Sequence, residues 1–186
     1  MIEDLKKAVE VLRSGGIILY PTDTIWGLGC DPTNAEAVKK IFKIKKREDF
    51  RNMLILLDDS GKLERYVKVP EIAWELLEAS MSPITIIYPS AKNLAAGLIA
   101  EDGSTGIRIT NDPFCKELIR RFGKPVVSTS ANVSGTPAPS NFDDIQEEIL
   151  SGVDYIVKWK QDDFVTNKPS SIIKIEENGQ FKIIRK

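Results

Sequence analysis

The stretch of sequence that decides the fold is IILYPTDTIWGLG, residues 17–29. Its first four residues are apolar and follow two glycines, so they predict a buried strand, and Pro21 ends the hydrogen-bonded ladder of that strand. Upstream, residues 2–12 place their apolar side chains on one helical face. The chain is therefore predicted to open with a helix, a tight turn and a buried strand, which is typical of an α/β domain.

The rest of the chain continues this alternation. Thr33 followed by Glu36 forms a capping pattern that predicts a helix through Ile44, and Asp112-Pro113 predicts the start of another helix. Further predicted elements are strands at 53–57, 84–88, 106–109, 126–127 and 155–157, helices from Pro70 and over 143–150, and a hairpin of 171–175 with 181–184 around Asn178-Gly179. Such interleaving predicts a single α/β domain over residues 1–186, built on a mixed and largely buried sheet, with two domains as the alternative.

Composition excludes several kinds of chemistry. The 186 residues include no histidine, which excludes Ser-His-Asp and Cys-His catalysis, a His-ligated zinc or haem, and a histidine proton shuttle. With Lys+Arg 26 against Asp+Glu 27 and a net charge of −1, an anion site must come from local clustering of basic residues. Carboxylates, ammonium and guanidinium groups, hydroxyls, thiolates and bound ligands remain to carry the chemistry.

The two cysteines and the N-terminus indicate the compartment. Cys30 and Cys115 lie far apart and outside any CxxC pattern, so we expect free thiols and neither a metal knuckle nor a redox pair. The first residues carry acids where a signal peptide is basic, and no apolar run approaches the ~20 residues of a membrane span. We therefore expect a cytoplasmic protein that does not bind membranes.

Polar residues directly follow the first predicted strand. Thr22, Asp23 and Thr24 stand at the end of a buried strand, where ligands bind in open α/β sheets, and the Gly27-x-Gly29 pair would let the backbone approach something small. The same threonines and aspartate could instead satisfy their own backbone in a turn. The spacing of these residues does not separate the two interpretations.

A cationic cluster lies within residues 39–51, which hold seven basic residues and two acidic ones. Lys45, Arg47 and Arg51 fall at and beyond the end of the predicted helix, where they could converge on phosphates. A solvated basic face is the alternative.

A second polar segment covers residues 128–140, which are rich in Ser, Thr, Gly, Pro and Asn and predict an irregular loop. Its hydroxyls and amide could bind the polar edges of a ligand, or it could be an ordinary surface loop. The segment contains neither a P-loop nor a GxGxxG pattern. A serine nucleophile is disfavoured, because the chain has no histidine to activate one.

Taken together, these motifs resemble those of the YrdC/TsaC family of threonylcarbamoyl-AMP synthases. The resemblance extends over residues 17–185 and rests on YPTDT…GLG at 20–29, Lys45-x-Arg47, GIR at 106–108 and STSANxSG at 128–135. It implies a YrdC-like fold, in which a twisted mixed β-sheet with flanking helices encloses a deep, positively charged concave site.

The resemblance also implies an activity. Such an enzyme joins L-threonine, bicarbonate and ATP, with Mg²⁺, into threonylcarbamoyl-adenylate and releases pyrophosphate. A threonylcarbamoyl-transferase complex then passes the threonylcarbamoyl group to the tRNA adenosine beside the anticodon. Transfer at phosphorus depends mainly on positioning and charge stabilisation, for which Lys, Arg and Mg²⁺ are suited, so the lack of histidine is compatible with this chemistry.

Carried over residue by residue, the resemblance implies three overlapping sets of site residues, with no metal ligand assigned. The basic and polar tetrad of the catalytic site is Lys45, Arg47, Ser130 and Asn132. The nucleotide set is Lys45, Arg47, Arg51, Ser104, Asn132, Ser140 and Arg185. The threonine set is Thr24, Arg108, Ser130 and Ser170. Within these sets, Lys45 and Arg47 are expected to neutralise the triphosphate, and Arg108 to pair with the threonine carboxylate.

The chain departs from the family pattern at four positions. Trp26 stands where Tyr is usual, and Glu48 stands where Pro is usual. Leu56 occupies a position where some relatives place a threonine-contacting His, and Lys174 one where Asp is common. These departures keep open a catalytically silent paralogue. A second alternative is a double-stranded RNA or tRNA-binding module that uses the same cationic concavity without catalysis.

Overall fold

The computed structural model describes residues 1–46, 53–163 and 168–186. The helices are α1 (Ile2–Arg13), α2 (Ala35–Ile44), α3 (Glu71–Ala79), α4 (Pro113–Phe122) and α5 (Glu147–Gly152), with short 3-10 helices at Ser60–Arg65 and Ala96–Leu98. The strands are β1 (Ile18–Tyr20), β2 (Gly27–Gly29), β3 (Leu54–Leu57), β4 (Ile84–Tyr88), β5 (Thr105–Ile109), β6 (Val126–Ser130), β7 (Tyr155–Ile156), β8 (Ser171–Ile175) and β9 (Phe181–Arg185).

The strands form one sheet in the order β7-β1-β2-β6-β3-β5-β4-β8-β9. Strand β6 pairs antiparallel with β2 and β3, whereas β3 pairs parallel with β5, and β4 pairs parallel with β8. The prediction of a mixed sheet is therefore confirmed.

The sheet separates two hydrophobic clusters, because successive residues of a strand point to opposite faces. On one face, Leu19, Ile55 and Ile107 belong to a cluster that includes side chains of α2 and α5. On the other face, Tyr20 and Leu56 pack with side chains of α1 and α4. Burial of both clusters is the main force that holds the helices on the sheet.

Helix α2 is capped by a different residue from the one predicted. The side-chain oxygen of Asn34 accepts hydrogen bonds from the backbone N–H groups of Glu36 and Ala37, each at 3.1 Å. The prediction of Thr33 as the cap is wrong, because the Thr33 hydroxyl donates to Asp31 Oδ1 at 2.7 Å. Because the Thr33 hydroxyl is bonded to the Asp31 carboxylate, Asn34 caps the helix instead.

The other predicted ends of helices and strands either match the structure or lie within a few residues of the observed ends. Helix α4 begins as predicted, with Asp112 accepting a hydrogen bond from the Cys115 N–H at 3.0 Å, and the β8–β9 hairpin is confirmed. Pro70 is the cap of α3 rather than its first residue, and α5 begins four residues later than predicted.

The Gly-x-Gly pair is a strand, and its glycines serve the packing of the sheet. A Cβ on Gly29 would lie 2.7 Å from Tyr20 Cε1 and 3.0 Å from both Val126 Cγ1 and the Val127 carbonyl oxygen. The prediction that this pair lets the backbone approach a small ligand is wrong at Gly29, because an aromatic ring and strand β6 fill the space beside it.

Residues 128–130 also differ from the prediction, since they belong to β6 and not to an irregular loop. Ser128 pairs with Leu54 on one side, and Ser130 pairs with Gly27 on the other. Backbone pairing with two neighbouring strands outweighs the low strand preference of these polar side chains.

Both cysteines are buried and have free thiols, as predicted. Burial raises the pKa of the Cys30 and Cys115 thiols well above the usual value. Among the helices described here, none has the length and apolar character needed to cross a membrane.

Candidate active site

A cavity of about 930 Å³ lies over the part of the sheet formed by β3 to β6. The residues that form its floor are Leu54, Thr85, Gly106, Arg108 and Ser128. Leu54 has the same orientation as Leu56 because the two are separated by one residue in β3. The cavity floor and the cluster under α1 and α4 therefore share one face of the sheet, and the cavity occupies the part that these helices leave open. Its volume lies within the range of small-molecule sites.

The charged residues of the described lining are balanced in sign. Arg108 and Arg185 contribute positive charge, whereas Glu101 and Asp102 contribute negative charge. Arg47 and Arg51 lie outside the described residues, so the positive charge of the site stays a prediction.

Arg108 is the most constrained cation of the cavity, with 3% of its surface exposed. Its Nη1 donates to Thr24 Oγ1 at 2.9 Å, and its Nη2 donates to Thr22 Oγ1 at 3.4 Å and lies 3.2 Å from Asp23 Oδ1. Its Nε is buried without a hydrogen-bond partner among the described residues. The guanidinium is thus held in place while one donor stays available for an anionic ligand.

The loop between β1 and β2 forms a turn and contributes to the site at once. Thr22 Oγ1 accepts from the Thr24 N–H at 3.0 Å and donates to the Ile25 carbonyl oxygen at 2.8 Å, as in a self-satisfied turn. Thr24 nevertheless lines the cavity and contacts Arg108. The turn interpretation is therefore confirmed, and the place of Thr24 at the cavity leaves ligand binding as a prediction.

A second cation, Arg185, also lines the cavity. Its Nε and Nη2 donate to the Ser170 carbonyl oxygen at 3.0 and 2.8 Å. Burial and the neighbouring Arg108 charge both lower the pKa of Arg185. Ser170 is itself buried, and its hydroxyl lies 2.7 Å from Thr85 Oγ1. An anion between the two guanidinium groups would relieve their mutual repulsion.

Lys45 contacts the backbone at the end of β6. Its ammonium donates to the Ser130 carbonyl oxygen and, at 2.7 Å, to the Asn132 carbonyl oxygen, and only 2% of the residue surface is exposed. The Asn132 amide nitrogen donates to the Thr136 carbonyl oxygen at 2.6 Å, and Asn132 Oδ1 has no partner among the described residues. Lys45 therefore fixes the loop that carries Ser130 and Asn132.

The cavity brings together six of the predicted site residues, which are Thr24, Ser104, Arg108, Ser130, Ser170 and Arg185. Lys45 and Asn132 lie beside Ser130 but outside the described lining. Ser140 lies in a small neighbouring pocket, where its N–H donates to Asp144. Leu56 is fully buried under α1 and α4, so its side chain does not face the cavity.

The polar cavity residues that sequence reasoning missed include Thr85 and Asp102. Thr85 contacts Ser170, and Asp102 accepts a hydrogen bond from the Ser104 hydroxyl at 2.6 Å. Thr85 is the single polar residue of the otherwise apolar strand ITIIY, which is a signal that points to a functional position. Asp102 lies in a polar turn and carries no comparable signal.

Comparisons with known proteins agree with this fold. Residues 10–186 match the Sua5/YciO/YrdC family model, whose description is "Telomere recombination". The chain is 34% identical over 177 residues to the threonylcarbamoyl-AMP synthase of Pseudoalteromonas translucida, which covers 93% of both chains. It is also 34% identical over 157 residues to that of Stenotrophomonas maltophilia, which covers 82% of this chain and 84% of the relative.

Solved structures show the same fold. YciO of E. coli superposes with a TM-score of 0.87 at 25% identity, over 100% of this chain and 90% of the other. P. abyssi Sua5 complexed with L-threonine superposes with a TM-score of 0.81 at 24% identity, over 92% of this chain. This chain spans about half of the length of that Sua5, since the match covers 50% of it. From its motifs, its sheet and these relatives, we conclude that the chain belongs to the Sua5/YciO/YrdC family.

Proposed function

We propose that this chain is an L-threonylcarbamoyladenylate synthase, which joins L-threonine, bicarbonate and ATP and releases pyrophosphate. The observation that carries the proposal is the cavity that Arg108, held by Thr24, lines together with Ser130 and Arg185. The relatives named threonylcarbamoyl-AMP synthase support the proposal over a binding module without catalysis.

The threonine is proposed to bind at Arg108. A guanidinium with an available donor suits a carboxylate, because the two form charge-assisted hydrogen bonds. The hydroxyls of Thr24, Ser130 and Ser170 surround this end of the cavity and would orient the amino acid. The Sua5 of P. abyssi has been solved with L-threonine, which supports an amino-acid site in this fold.

ATP is proposed to bind through Ser104 and Arg185, which both line the cavity. We further assign Lys45, Arg47, Arg51, Asn132 and Ser140 to the nucleotide. For Lys45 the contacts with the Ser130 and Asn132 carbonyl oxygens support a positioning role, in which the lysine holds the loop that meets the phosphates. Direct neutralisation of the triphosphate then falls mainly to the two arginines.

The proposed chemistry needs no histidine. The threonine amine first attacks the carbon of bicarbonate, and a C–O bond breaks with loss of water to leave a carbamate. A carbamate oxygen then attacks the α-phosphorus of ATP. A P–O bond to the carbamate forms as the bond to pyrophosphate breaks, and pyrophosphate leaves with the electron pair. Held cations stabilise the charge that develops on the phosphoryl oxygens, which is the usual protein contribution to such transfer.

Mg²⁺ would accompany the triphosphate. Within residues 1–46, 53–163 and 168–186, no group of three or more Cys, Asp or Glu side chains is arranged to hold a metal ion. Mg²⁺ commonly binds through substrate phosphates and water with few protein ligands. We therefore assign no protein ligand to it.

The product would serve tRNA modification. We propose that residues 1–186 act as one catalytic domain in the cytoplasm and deliver threonylcarbamoyl-adenylate to a transferase complex that acts on tRNA. Substitution of Ser130 separates this synthesis from tRNA binding, because backbone-type RNA binding depends on cations and not on this hydroxyl.

The decisive experiment incubates the pure protein with ATP, Mg²⁺, L-threonine and labelled bicarbonate. We expect pyrophosphate release that requires all of the substrates, together with a labelled threonylcarbamoyl-adenylate detected by chromatography. Pyrophosphate release without threonine, or no label in the product, contradicts the proposal.

A further inference from the structure

Lys174 makes a contact at the rim of the cavity. Its ammonium, on β8, donates to Asp102 Oδ2, in the turn that precedes β5. The side chain of Lys174 is 27% exposed, and that of Asp102 is 50% exposed. Glu176 Oε1 lies 3.7 Å from the same ammonium, so Lys174 stands between two carboxylates.

The other carboxylate oxygen of Asp102 is bound to Ser104. Asp102 Oδ1 accepts from the Ser104 hydroxyl at 2.6 Å and from the Ser104 N–H at 3.1 Å. Hydrogen bonds from Lys174 and Ser104 lower the pKa of Asp102 to about 2. The carboxylate is therefore ionised at neutral pH, and it links Lys174 to Ser104 with one oxygen for each.

Ser104 is part of the cavity wall. The residue is 5% exposed, and it lines the cavity with most of the preceding turn, residues 98–102. The turn is closed by backbone hydrogen bonds, from Gly103 to Ala100 and from Ala100 to Ser104, each at 2.8 Å. The turn is also held by the Ala91 N–H, which donates to the Gly103 carbonyl oxygen, and by the Thr105 hydroxyl, which donates to the Leu98 carbonyl oxygen, each at 2.8 Å. Strand β8 is paired on both sides, by β4 and β9.

We propose that Lys174 is a positioning residue for ATP, which acts through Asp102 to fix the Ser104 hydroxyl and the turn at residues 98–104. The proposal rests on the proposed function, since it assigns this wall to the nucleotide. Strand β8 is held in place because it is paired on both sides, and the ion pair between Lys174 and Asp102 connects this strand to the cavity wall. Exposed ion pairs contribute little to global stability, so the effect is expected in substrate binding and not in folding.

The kinetic test compares Lys174→Ala, Lys174→Arg and Asp102→Ala with the unmodified enzyme. We expect Lys174→Ala to raise the KM for ATP about two- to fivefold, with kcat and the KM for threonine unchanged, and Lys174→Arg to restore the original value. Asp102→Ala also removes both bonds to Ser104, so its KM for ATP should rise about tenfold. Lys39→Ala, which removes an exposed lysine paired with Glu36 on α2, is the matched control and should change nothing.

A double-mutant cycle separates this link from independent effects. In the Asp102→Ala background, Lys174→Ala should produce no further rise in the KM for ATP, because the lysine acts only through the carboxylate. Additive effects of the two substitutions, or an unchanged KM in Lys174→Ala, overturn the proposal.

A second measurement does not depend on the reaction. Hydrogen exchange of the amides at residues 100–104, in protein without substrates, should be about two- to fivefold faster in Lys174→Ala. Unchanged exchange also overturns the positioning role. The unmodified protein could make no threonylcarbamoyl-adenylate while Lys174→Ala still speeds the amide exchange. In that case the proposed function is wrong, but Lys174 does fix the turn through Asp102.

Discussion

Arg108 and Thr24 are 84 positions apart in the sequence, yet Arg108 Nη1 donates to Thr24 Oγ1 at 2.9 Å. The contact joins β5 to the loop that follows β1. It orients a buried guanidinium toward the cavity and explains why the segments YPTDT and GIR occur together in this chain. The segment YPTDT supplies the threonine that accepts the hydrogen bond, and GIR supplies the arginine that donates it.

Arg108→Lys should strongly reduce synthesis, because lysine keeps the charge but loses the planar fork that contacts Thr24. We expect kcat/KM for threonine to fall by about 10²- to 10³-fold, or about 3–4 kcal/mol. Pyrophosphate release at varied threonine measures the effect. Arg120→Lys, on the exposed face of α4, serves as the control. Unchanged kinetics in Arg108→Lys would remove Arg108 from the threonine site.

Ser130→Ala separates synthesis from RNA binding. Ser130 lines the cavity, so its loss should lower kcat/KM by about 10²-fold if the chain is a synthase. RNA affinity through backbone phosphates depends on cations and salt, and it should not change. Turnover and a salt titration of tRNA binding are measured on the same samples, with Ser151→Ala on α5 as the control. Normal turnover in Ser130→Ala would argue against the proposed site.

Lys45→Met should destabilise the fold as well as the site. The substitution removes the ammonium donor of the Asn132 carbonyl oxygen and one of the donors of the Ser130 carbonyl oxygen, which also accepts from the Asn132 N–H at 2.9 Å. We expect the free energy of unfolding to fall by about 2–4 kcal/mol. Urea unfolding measures it, and Lys43→Met, at an exposed position of the same helix, should stay within about 0.5 kcal/mol of the unmodified chain. Equal losses for both variants would contradict the anchoring role.

Gly29→Ala should disrupt the packing of β2. The new Cβ would meet the Tyr20 ring at 2.7 Å and β6 at 3.0 Å, so we expect a loss of about 1–3 kcal/mol. Gly106→Ala is the control, because its Cβ would lie 3.4 Å from Leu54 Cβ, in ordinary contact. Thermal unfolding of both variants checks the prediction, which fails if Gly106→Ala is the more damaging change.

Acid should weaken the fold partly through Asp31. Burial raises the pKa of this carboxyl, but hydrogen bonds from Lys124 and Thr33 outweigh burial and leave the pKa below its usual value. A pKa lower in the folded state gives stability above the unfolded pKa of about 3.9, and that stability is lost as the pH falls through the folded value. Asp31→Asn should therefore be less stable than the unmodified chain at pH 7.

The pH dependence of this difference is the test. Urea unfolding at pH 7 and pH 3 should show the gap between Asp31→Asn and the unmodified chain narrowing in acid. Asp143→Asn, at an exposed position, should show no such change of gap. A gap that is constant with pH would mean that ionisation of Asp31 does not contribute to stability.

Sequence patterns predicted the elements whose own residues favour them. The apolar runs of β3 and β4 and the capped start of α4 are local signals, so they could be located without knowledge of the neighbours. Strand β2 and the end of β6 could not, because their glycines and serines become strand residues only through pairing with each other.

For the candidate site, too, residues with a local signal could be found from the sequence, and residues defined by distant contacts could not. The strand-end threonines and Arg108 stand out as polar residues beside apolar runs, and the resemblance to a known family placed Ser104, Ser170 and Arg185. The role of Lys45 was not foreseen, because its carbonyl partners follow it by 85 and 87 residues. The link from Lys174 to Asp102 spans 72 residues and likewise leaves no local pattern.

The central place of β6 also governs how this chain folds. Gly27 pairs with Ser130, and Leu54 pairs with Ser128, so the middle of the sheet closes only across long loops. Such loops must be ordered before their contacts compensate for the lost entropy, which makes folding slow. During synthesis on the ribosome, β2 and β3 emerge long before their common neighbour. The cavity is therefore completed late, and the nascent chain exposes unpaired strand edges until β6 has been made.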